Sequence, residues 1–167
     1  MNRPQTHEYP AWGQNYISQV EGDVVSILND QVTSFPNFIT NLIEKSDYAY
    51  GPGKWTIKEL VGHMIDTERI LVYRLLCFAR GETASLPGFE EDDYVSNAHF
   101  KDSNLFSMAE EFSLMRKSHL HLINSFNEEE LDRIGLANGK QMSVRAIIYV
   151  LAGHIIHHSK IIKERYL

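Results

Sequence analysis

The sequence predicts an all-α protein whose long helices pack as a four-helix bundle. Apolar residues recur with helical spacing in four long segments, whereas the alternating patterns that indicate β-strands are poor. The pair Asn138-Gly139 lies between helical patterns, so it predicts no hairpin. The chain has 167 residues, of which 43% are hydrophobic, and this suits one sizeable core. We therefore expect a single helical-bundle domain over residues 1–167.

The first two long helices are predicted from apolar stripes and from signals near their ends. The first covers roughly residues 23–43, and Pro36 within it predicts a kink or a break. The second covers roughly residues 57–80. Thr56 and Glu59 have the spacing of a capping box, which favours a helix start at this point.

The remaining helices follow in the second half of the chain. The third long helix is predicted over roughly residues 105–126, and the fourth begins at Val144 with Ser143 as its N-cap. A short helix is expected after Asn127, where three glutamates favour a first helical turn. The longest connection, residues 81–103, contains a run of acidic residues. A loop of this length is typical of a lid or an interface element.

Three histidines occupy the apolar stripes of two different helices. His63 lies on the second helix, and His154 and His158 lie one turn apart on the fourth. Four-residue spacing places the latter two imidazoles on one helix face, about 40° apart around the axis. One buried divalent metal ion would explain all three, and three protein ligands leave a position open for chemistry. The alternative is a set of core histidines that are satisfied by hydrogen bonds.

Other histidines fit this metal-binding pattern less well. His157 also has a possible spacing from His154, but His158 lies nearer the line of the apolar stripe. Ile155 stands where an H-E-x-x-H metalloprotease has its glutamate, so we reject that class. His119 lies on the third apolar stripe without a partner one turn away, and we interpret it as a core or cleft-edge residue.

Charged residues near the histidines are candidates for supporting roles. Arg74 follows His63 by eleven residues and Arg165 follows His154 by eleven, which returns to nearly the same helical angle. Both arginines are candidates to line one cleft and hold a carboxylate, and a structural ion pair is the alternative. Asp66 is the candidate partner that would orient His63, or else a solvated charge.

Three further residues near the second helix have their own interpretations. Glu68 is a second candidate for orienting a histidine. Trp55 precedes the predicted helix, and we expect it to pack rather than to contact substrate. Cys77 is interpreted as a small core residue.

Charge and hydropathy exclude several classes of function. The net charge of −6 and the scattered cationic residues argue against a broad nucleic-acid surface. The most apolar stretch, residues 146–162, is too short and too rich in histidine to span a bilayer. Residues 1–12 lack the apolar region of a signal peptide, and a single cysteine excludes an internal disulfide. We therefore expect a cytoplasmic protein without a membrane partner.

Several segments together are similar to one known family. They are YGPGKWTIKELVGH at residues 50–63, DTER at 66–69, YR at 73–74, LPGF at 86–89 and GHIIHH at 153–158. The chain resembles the DinB-like family, which includes the YfiT-type metal-dependent hydrolases. The resemblance extends from about residue 20 to the end of the sequence.

The resemblance implies a DinB/YfiT-like four-helix bundle, usually a homodimer, in which His63, His154 and His158 hold a divalent metal ion. Zinc or nickel are the leading candidates for that ion, and iron or manganese are the alternatives. A small-molecule substrate is implied, and the family name carries no implication of DNA binding. Because some relatives resemble thiol S-transferases, we expect transfer of a low-molecular-weight thiol to a small electrophile. The alternatives are hydrolysis of a small ester or amide, and a non-catalytic metal- or ligand-binding bundle.

Overall fold

The computed structural model describes residues 1–167 and confirms the four-helix bundle. Its long helices are α2, α3, α5 and α7, and a short hairpin, β1 and β2, precedes α7. Numbered along the chain, the elements are α1 (Gln14–Ile17), α2 (Val24–Thr40), α3 (Ile57–Ala79), α4 (Glu91–Asn97), α5 (Leu105–Asn124), α6 (Glu128–Asp132), β1 (Ile134–Ala137), β2 (Lys140–Ser143) and α7 (Val144–Arg165). No helix is both long and apolar enough to cross a membrane.

Side-chain caps fix where the long helices begin. Asp23, Thr56, Asn104 and Ser143 each accept a hydrogen bond from a backbone N–H in the first turn of α2, α3, α5 and α7. Thr56 also forms the predicted capping box with Glu59. The sequence therefore located these starts correctly, because capping is a local interaction.

The bundle core consists of two apolar clusters, one towards each end. The first contains the N-terminal halves of α2 and α7 and the C-terminal halves of α3 and α5. The second contains the opposite halves of the same four helices. Helices α2 and α7 consequently run in one direction, and α3 and α5 run in the other. Helix α2 packs against α5 and α7, and α3 packs against α7 and α5.

A buried polar layer separates the two clusters and connects all four long helices. Arg116 of α5 forms a bidentate ion pair with Glu68 of α3, at 2.7 and 2.6 Å. Its third nitrogen donates to the Gln31 side chain of α2 at 2.6 Å, and Gln31 donates to the carbonyl of Ala152 in α7 at 2.9 Å. His119 lies 3.0 Å from the Glu68 carboxylate. Every charged group in this layer therefore has a hydrogen-bond partner.

The buried face of α5 differs from the predicted stripe in its second half. Beyond Phe112 the buried residues are Arg116, Leu120 and Ile123, whereas Met115 and His119 are only half-buried. An arginine is normally assigned to the solvent face. Arg116 is buried here because Glu68 neutralises its charge.

Three other expectations are corrected. Helix α2 continues through Pro36 without a break, since buried Phe35 and Ile39 pack on both sides of it. The long connection is partly helical, because its acidic run begins α4. The sequence Asn138-Gly139 does form a hairpin turn between β1 and β2, and both residues have positive φ.

Removing one partner of the buried ion pair should strongly destabilise the fold. For Glu68→Ala we expect the free energy of unfolding to fall by about 3–5 kcal/mol, because Arg116 would retain an uncompensated buried charge. Urea denaturation followed by circular dichroism measures this change. The control Arg69→Ala removes two partly exposed ion pairs, with Asp66 and Glu111, and should cost about 1 kcal/mol or less. Equal losses in the two variants would contradict the role of the polar layer.

Candidate metal centre

Three buried imidazoles converge where α3 faces α7. The Nε2 atom of His154 lies 3.2 Å from Nε2 of His63 and 3.0 Å from Nε2 of His158. The three side chains are buried, with 5–9% of their surface exposed. The structure therefore brings together the three histidines that the sequence selected.

The donor atoms of this cluster fit a single metal ion. Each histidine offers one ring nitrogen, and these three nitrogens lie within 4.8 Å of one another. Tetrahedral zinc with Zn–N bonds of about 2.05 Å places its nitrogens about 3.3 Å apart, close to the two separations found here. A hydrogen bond between two imidazoles uses one N–H and one lone pair, so three converging Nε2 atoms are not all satisfied by each other. This group could hold a metal ion through three neutral nitrogens.

Burial keeps these imidazoles uncharged at neutral pH. It lowers the pKa of His63 to about 4, although the carboxylates of Glu91 and Asp92 oppose the shift. Burial, together with the neighbouring His63 and His157, lowers the pKa of His158 to about 3. Burial, together with the neighbouring His158, His63 and His157, holds the pKa of His154 well below its usual range. Neutral imidazole is the form that binds metal ions.

The outer nitrogens of the cluster have few partners. Nδ1 of His63 lies 3.4 Å from the hydroxyl of Thr67, one turn further along α3. Nδ1 of His158 is buried and has no hydrogen-bond partner in the chain. The cluster is therefore oriented mainly by packing, including the ring of Trp55, whose centre lies 4.9 Å from that of His63.

Two glycines next to the histidines allow close packing of other segments. A Cβ atom on Gly153 would lie 2.2 Å from the carbonyl oxygen of Tyr16, so only glycine lets α1 approach α7 here. A Cβ atom on Gly62 would lie 2.5 Å from the ring of Phe100. Each glycine thus lets another segment pack against a helix next to a histidine of the cluster.

His157 lies outside the cluster, beside α1. Its Nδ1 is 3.2 Å from the amide nitrogen of Gln19, and its ring packs edge-on against Tyr16. The preference for His158 over His157 therefore agrees with the geometry, and the assignment of ligands stays a prediction.

A cavity of about 490 Å³ opens above the three histidines. It contains both cationic and anionic side chains: Arg74, Lys140, Glu91 and Asp92. Its other walls come from α1 with the preceding turn, the segment before α4, and the β1–β2 turn; they include Trp12, Asn15, Tyr16, Phe89, Ala137 and Asn138. A pocket of this size suits a small molecule.

The predicted supporting residues have different positions. Arg74 lines the cavity and donates to the carbonyl of Pro87 at 2.8 Å. Arg165 does not line it; the residue lies beside Tyr50 near the end of α7, so the prediction that both arginines share a cleft is wrong. Asp66 pairs with Arg69 at 3.1 Å and has no hydrogen bond to His63.

Glu68 also differs from its expected role. Its carboxylate contacts Arg116 and His119 instead of a histidine of the cluster. Burial raises the pKa of the Glu68 carboxyl. The charge and hydrogen bonds of Arg116, aided by His119, lower this pKa by a larger amount, so the carboxylate stays ionised. Glu68 therefore stabilises the centre of the bundle.

Several cavity residues were not found from the sequence. Tyr16 belongs to a four-residue helix that has no long apolar pattern, and Asn138 belongs to a hairpin that was not predicted. Trp55 was expected only to pack, yet it also lines the cavity. The pair Asn138-Gly139 was the one local sequence signal for the hairpin, whose turn forms part of the cavity wall.

The comparisons with known proteins agree with this fold. The model of the DinB superfamily matches residues 39–162, and the chain belongs to this superfamily. A relative from Oceanobacillus iheyensis, named "putative metal-dependent hydrolase", is 25% identical over 162 residues, covering 94% of this chain and 83% of the relative.

A solved structure shows the same fold. It is YfiT from Bacillus subtilis, described as "a probable metal-dependent hydrolase with an unusual four-helix bundle topology". The TM-score is 0.74 at 15% identity, and the likeness covers 90% of this chain and 95% of YfiT.

The low pKa values predict an acid-sensitive metal-free protein. Between the lowered pKa values and the ordinary value of 6.5, the unfolded chain binds more protons than the folded chain. The free energy of unfolding should therefore fall as the pH decreases from 6.5 towards 4. The loss is at most about 1.4 kcal/mol per pH unit for each histidine.

Urea denaturation at several pH values in the presence of a chelator tests this dependence. In His63→Gln one titrating group is lost, so the slope between pH 6.5 and pH 5 should be smaller than in the wild type. An unchanged slope would show that His63 does not contribute.

Proposed function

We propose that the protein is a metal-dependent hydrolase of a small ester or amide, with His63, His154 and His158 as the metal ligands. The observation that carries the proposal is the convergence of three buried, neutral imidazole nitrogens below a cavity of small-molecule size. The names of the relative from Oceanobacillus iheyensis and of YfiT support the same class of activity.

The donor set favours a metal centre that remains open to substrate. Three histidines form the cluster, and no carboxylate or thiolate joins them as a fourth ligand. Structural zinc sites are closed by four protein ligands, whereas catalytic sites use three. Imidazole ligands suit zinc, nickel, iron and copper, and zinc or nickel stay the first candidates. A bound divalent ion would supply Lewis-acid chemistry and make water a better nucleophile near neutral pH.

The charged cavity residues have separate roles in this proposal. Glu91 and Asp92 line the cavity near His63, so either carboxylate can accept a proton from the attacking water. Arg74 and Lys140 provide cationic groups that hold an anionic part of the substrate. The water oxygen bonds to the carbonyl carbon, the bond to the leaving group breaks, and the proton passes to that group.

Thiol transfer, the reaction expected from the family resemblance, is the second candidate. The observation in its favour is the guanidinium of Arg74 inside the cavity, since Arg74 can bind a carboxylate carried by a small thiol. In this reaction the thiol sulfur bonds to an electrophilic carbon, the leaving group departs, and the thiol proton passes to solvent. Such chemistry requires that the pKa of the thiol be lowered, and a bound metal ion would lower it.

The wider setting belongs to the same proposal. We infer one bundle domain over residues 1–167, a homodimer and a cytoplasmic location from the family resemblance and from the composition. Sedimentation of the protein at micromolar concentration tests the dimer, and a monomer would contradict it.

Metal content should depend on the three histidines and on no neighbour. We expect about one divalent ion per chain in the wild type, and loss of that ion in His63→Ala, His154→Ala and His158→Ala. Elemental analysis of untagged protein after dialysis measures this. His157→Ala is the matched control and should retain the ion, because His157 lies beside Gln19. Loss of metal in His157→Ala with retention in His158→Ala would reverse the assignment.

Two assays distinguish hydrolysis from thiol transfer. Metal-loaded protein should hydrolyse nitrophenyl acetate without thiol, and the His154→Ala variant should lose this turnover with its metal. Thiol transfer would instead appear as conversion of chlorodinitrobenzene that requires added mercaptopropionate. A metal-loaded protein inactive in both assays, across a panel of esters, amides and thiols, would favour a non-catalytic metal-binding bundle.

A further inference from the structure

The segment of residues 1–20, here called the N-terminal strap, lies before the part of the chain that matches the DinB superfamily model. It covers one side of the metal centre and contributes Trp12, Asn15 and Tyr16 to the cavity. Among these residues Tyr16 also touches the cluster directly, since its ring packs edge-on against His154 with centres 5.5 Å apart.

We propose that Tyr16 is a catalytic residue whose hydroxyl donates a hydrogen bond to the carbonyl oxygen of the substrate. This inference rests on the hydrolytic function proposed above and names a residue that acts on the reacting group.

The strap holds the backbone of Tyr16 in place through several independent contacts. The Arg3 guanidinium donates to the carbonyls of Ile17, at 2.9 Å, and Val20. Ile17 and Val20 are themselves buried in the core. The carbonyl of Tyr16 lies directly over Gly153, where any Cβ atom would clash. A side chain anchored in this way is already positioned before substrate binds.

The hydroxyl of Tyr16 is available for a ligand. It has no hydrogen-bond partner in the chain, although the residue is only half exposed at most and lines the cavity beside His154. By contrast, the hydroxyls of Tyr9, Tyr149 and Tyr166 each donate to a protein oxygen. No protein group competes for this donor, so it is free to bind a substrate that enters the cavity.

Ester and amide hydrolysis is faster when a hydrogen-bond donor lies beside the carbonyl oxygen of the substrate. As the water oxygen bonds to the carbonyl carbon, the C=O electrons move onto the oxygen, which becomes negatively charged. A fixed hydroxyl stabilises that charge more than it stabilises the uncharged substrate, so it raises kcat rather than lowering KM. Removing one such donor commonly lowers kcat on the order of 100-fold.

The substitution Tyr16→Phe tests the hydroxyl alone, because the ring against His154 is kept. We expect kcat for nitrophenyl acetate to fall about 100-fold with KM, metal content and Tm unchanged. Tyr48→Phe is the matched control: Tyr48 is 48% exposed and does not line the cavity, so its removal should leave kcat unchanged. A kcat in Tyr16→Phe within twofold of the wild type would overturn the proposal.

A second measurement keeps the inference separate from the proposed function. If the wild type hydrolyses no ester or amide, the proposed function fails, and binding of acetohydroxamate to cobalt-loaded protein then tests Tyr16. This probe presents a carbonyl oxygen, and the visible spectrum of cobalt reports its binding. An affinity about tenfold lower in Tyr16→Phe would support the hydrogen bond. Equal affinity in the two proteins, or no binding to the wild type, would overturn it.

Discussion

The ion pair between Arg116 and Glu68 is the interaction on which the arrangement of the bundle depends. Both side chains are fully removed from solvent, and charges in such a place are tolerated only when they are paired and hydrogen-bonded. The pair extends through Gln31 to the carbonyl of Ala152, so one network contacts α2, α3, α5 and α7. Ala152 lies two residues before His154. The network therefore fixes the relative height of α3 and α7, the helices that carry the three histidines.

The candidate metal centre lies in the same low-polarity interior, where its side chains are uncharged instead of paired. Burial makes protonation of His63, His154 and His158 unfavourable, which leaves their nitrogens free to bind a cation. No carboxylate shares the cluster, so its ligands carry no charge and a divalent ion would keep its full charge. Such a centre polarises a bound molecule strongly. The acidic and basic side chains of the cavity are not part of the cluster, so they can contact a substrate without acting as further metal ligands.

The bundle supplies the three histidines, whereas the surrounding segments shape the cavity. The N-terminal strap, the segment before α4 and the β1–β2 turn provide most of its walls. Loops and short elements commonly carry specificity while a rigid scaffold holds the reactive centre. Gly153 and Gly62 connect the two parts, since each lets a covering segment lie against a helix next to a histidine. The superfamily fold thus carries the three histidines, and the segments around them determine which molecules fit the cavity.

Local sequence patterns were enough to predict the four long helices, the caps Thr56 and Ser143, and the three histidines that share the apolar stripes of two helices. Those features follow from spacing within one or two turns, and His154 and His158 share a helix face wherever that helix packs. Three features depend on the packing of distant segments: the burial of Arg116, the position of Tyr16 over Gly153, and the location of Arg165 outside the cavity. Glu68 and Arg116 are 48 residues apart, and no local pattern records such a pairing. Burial of a charge depends on a distant partner, so it becomes visible only when the helices are packed together.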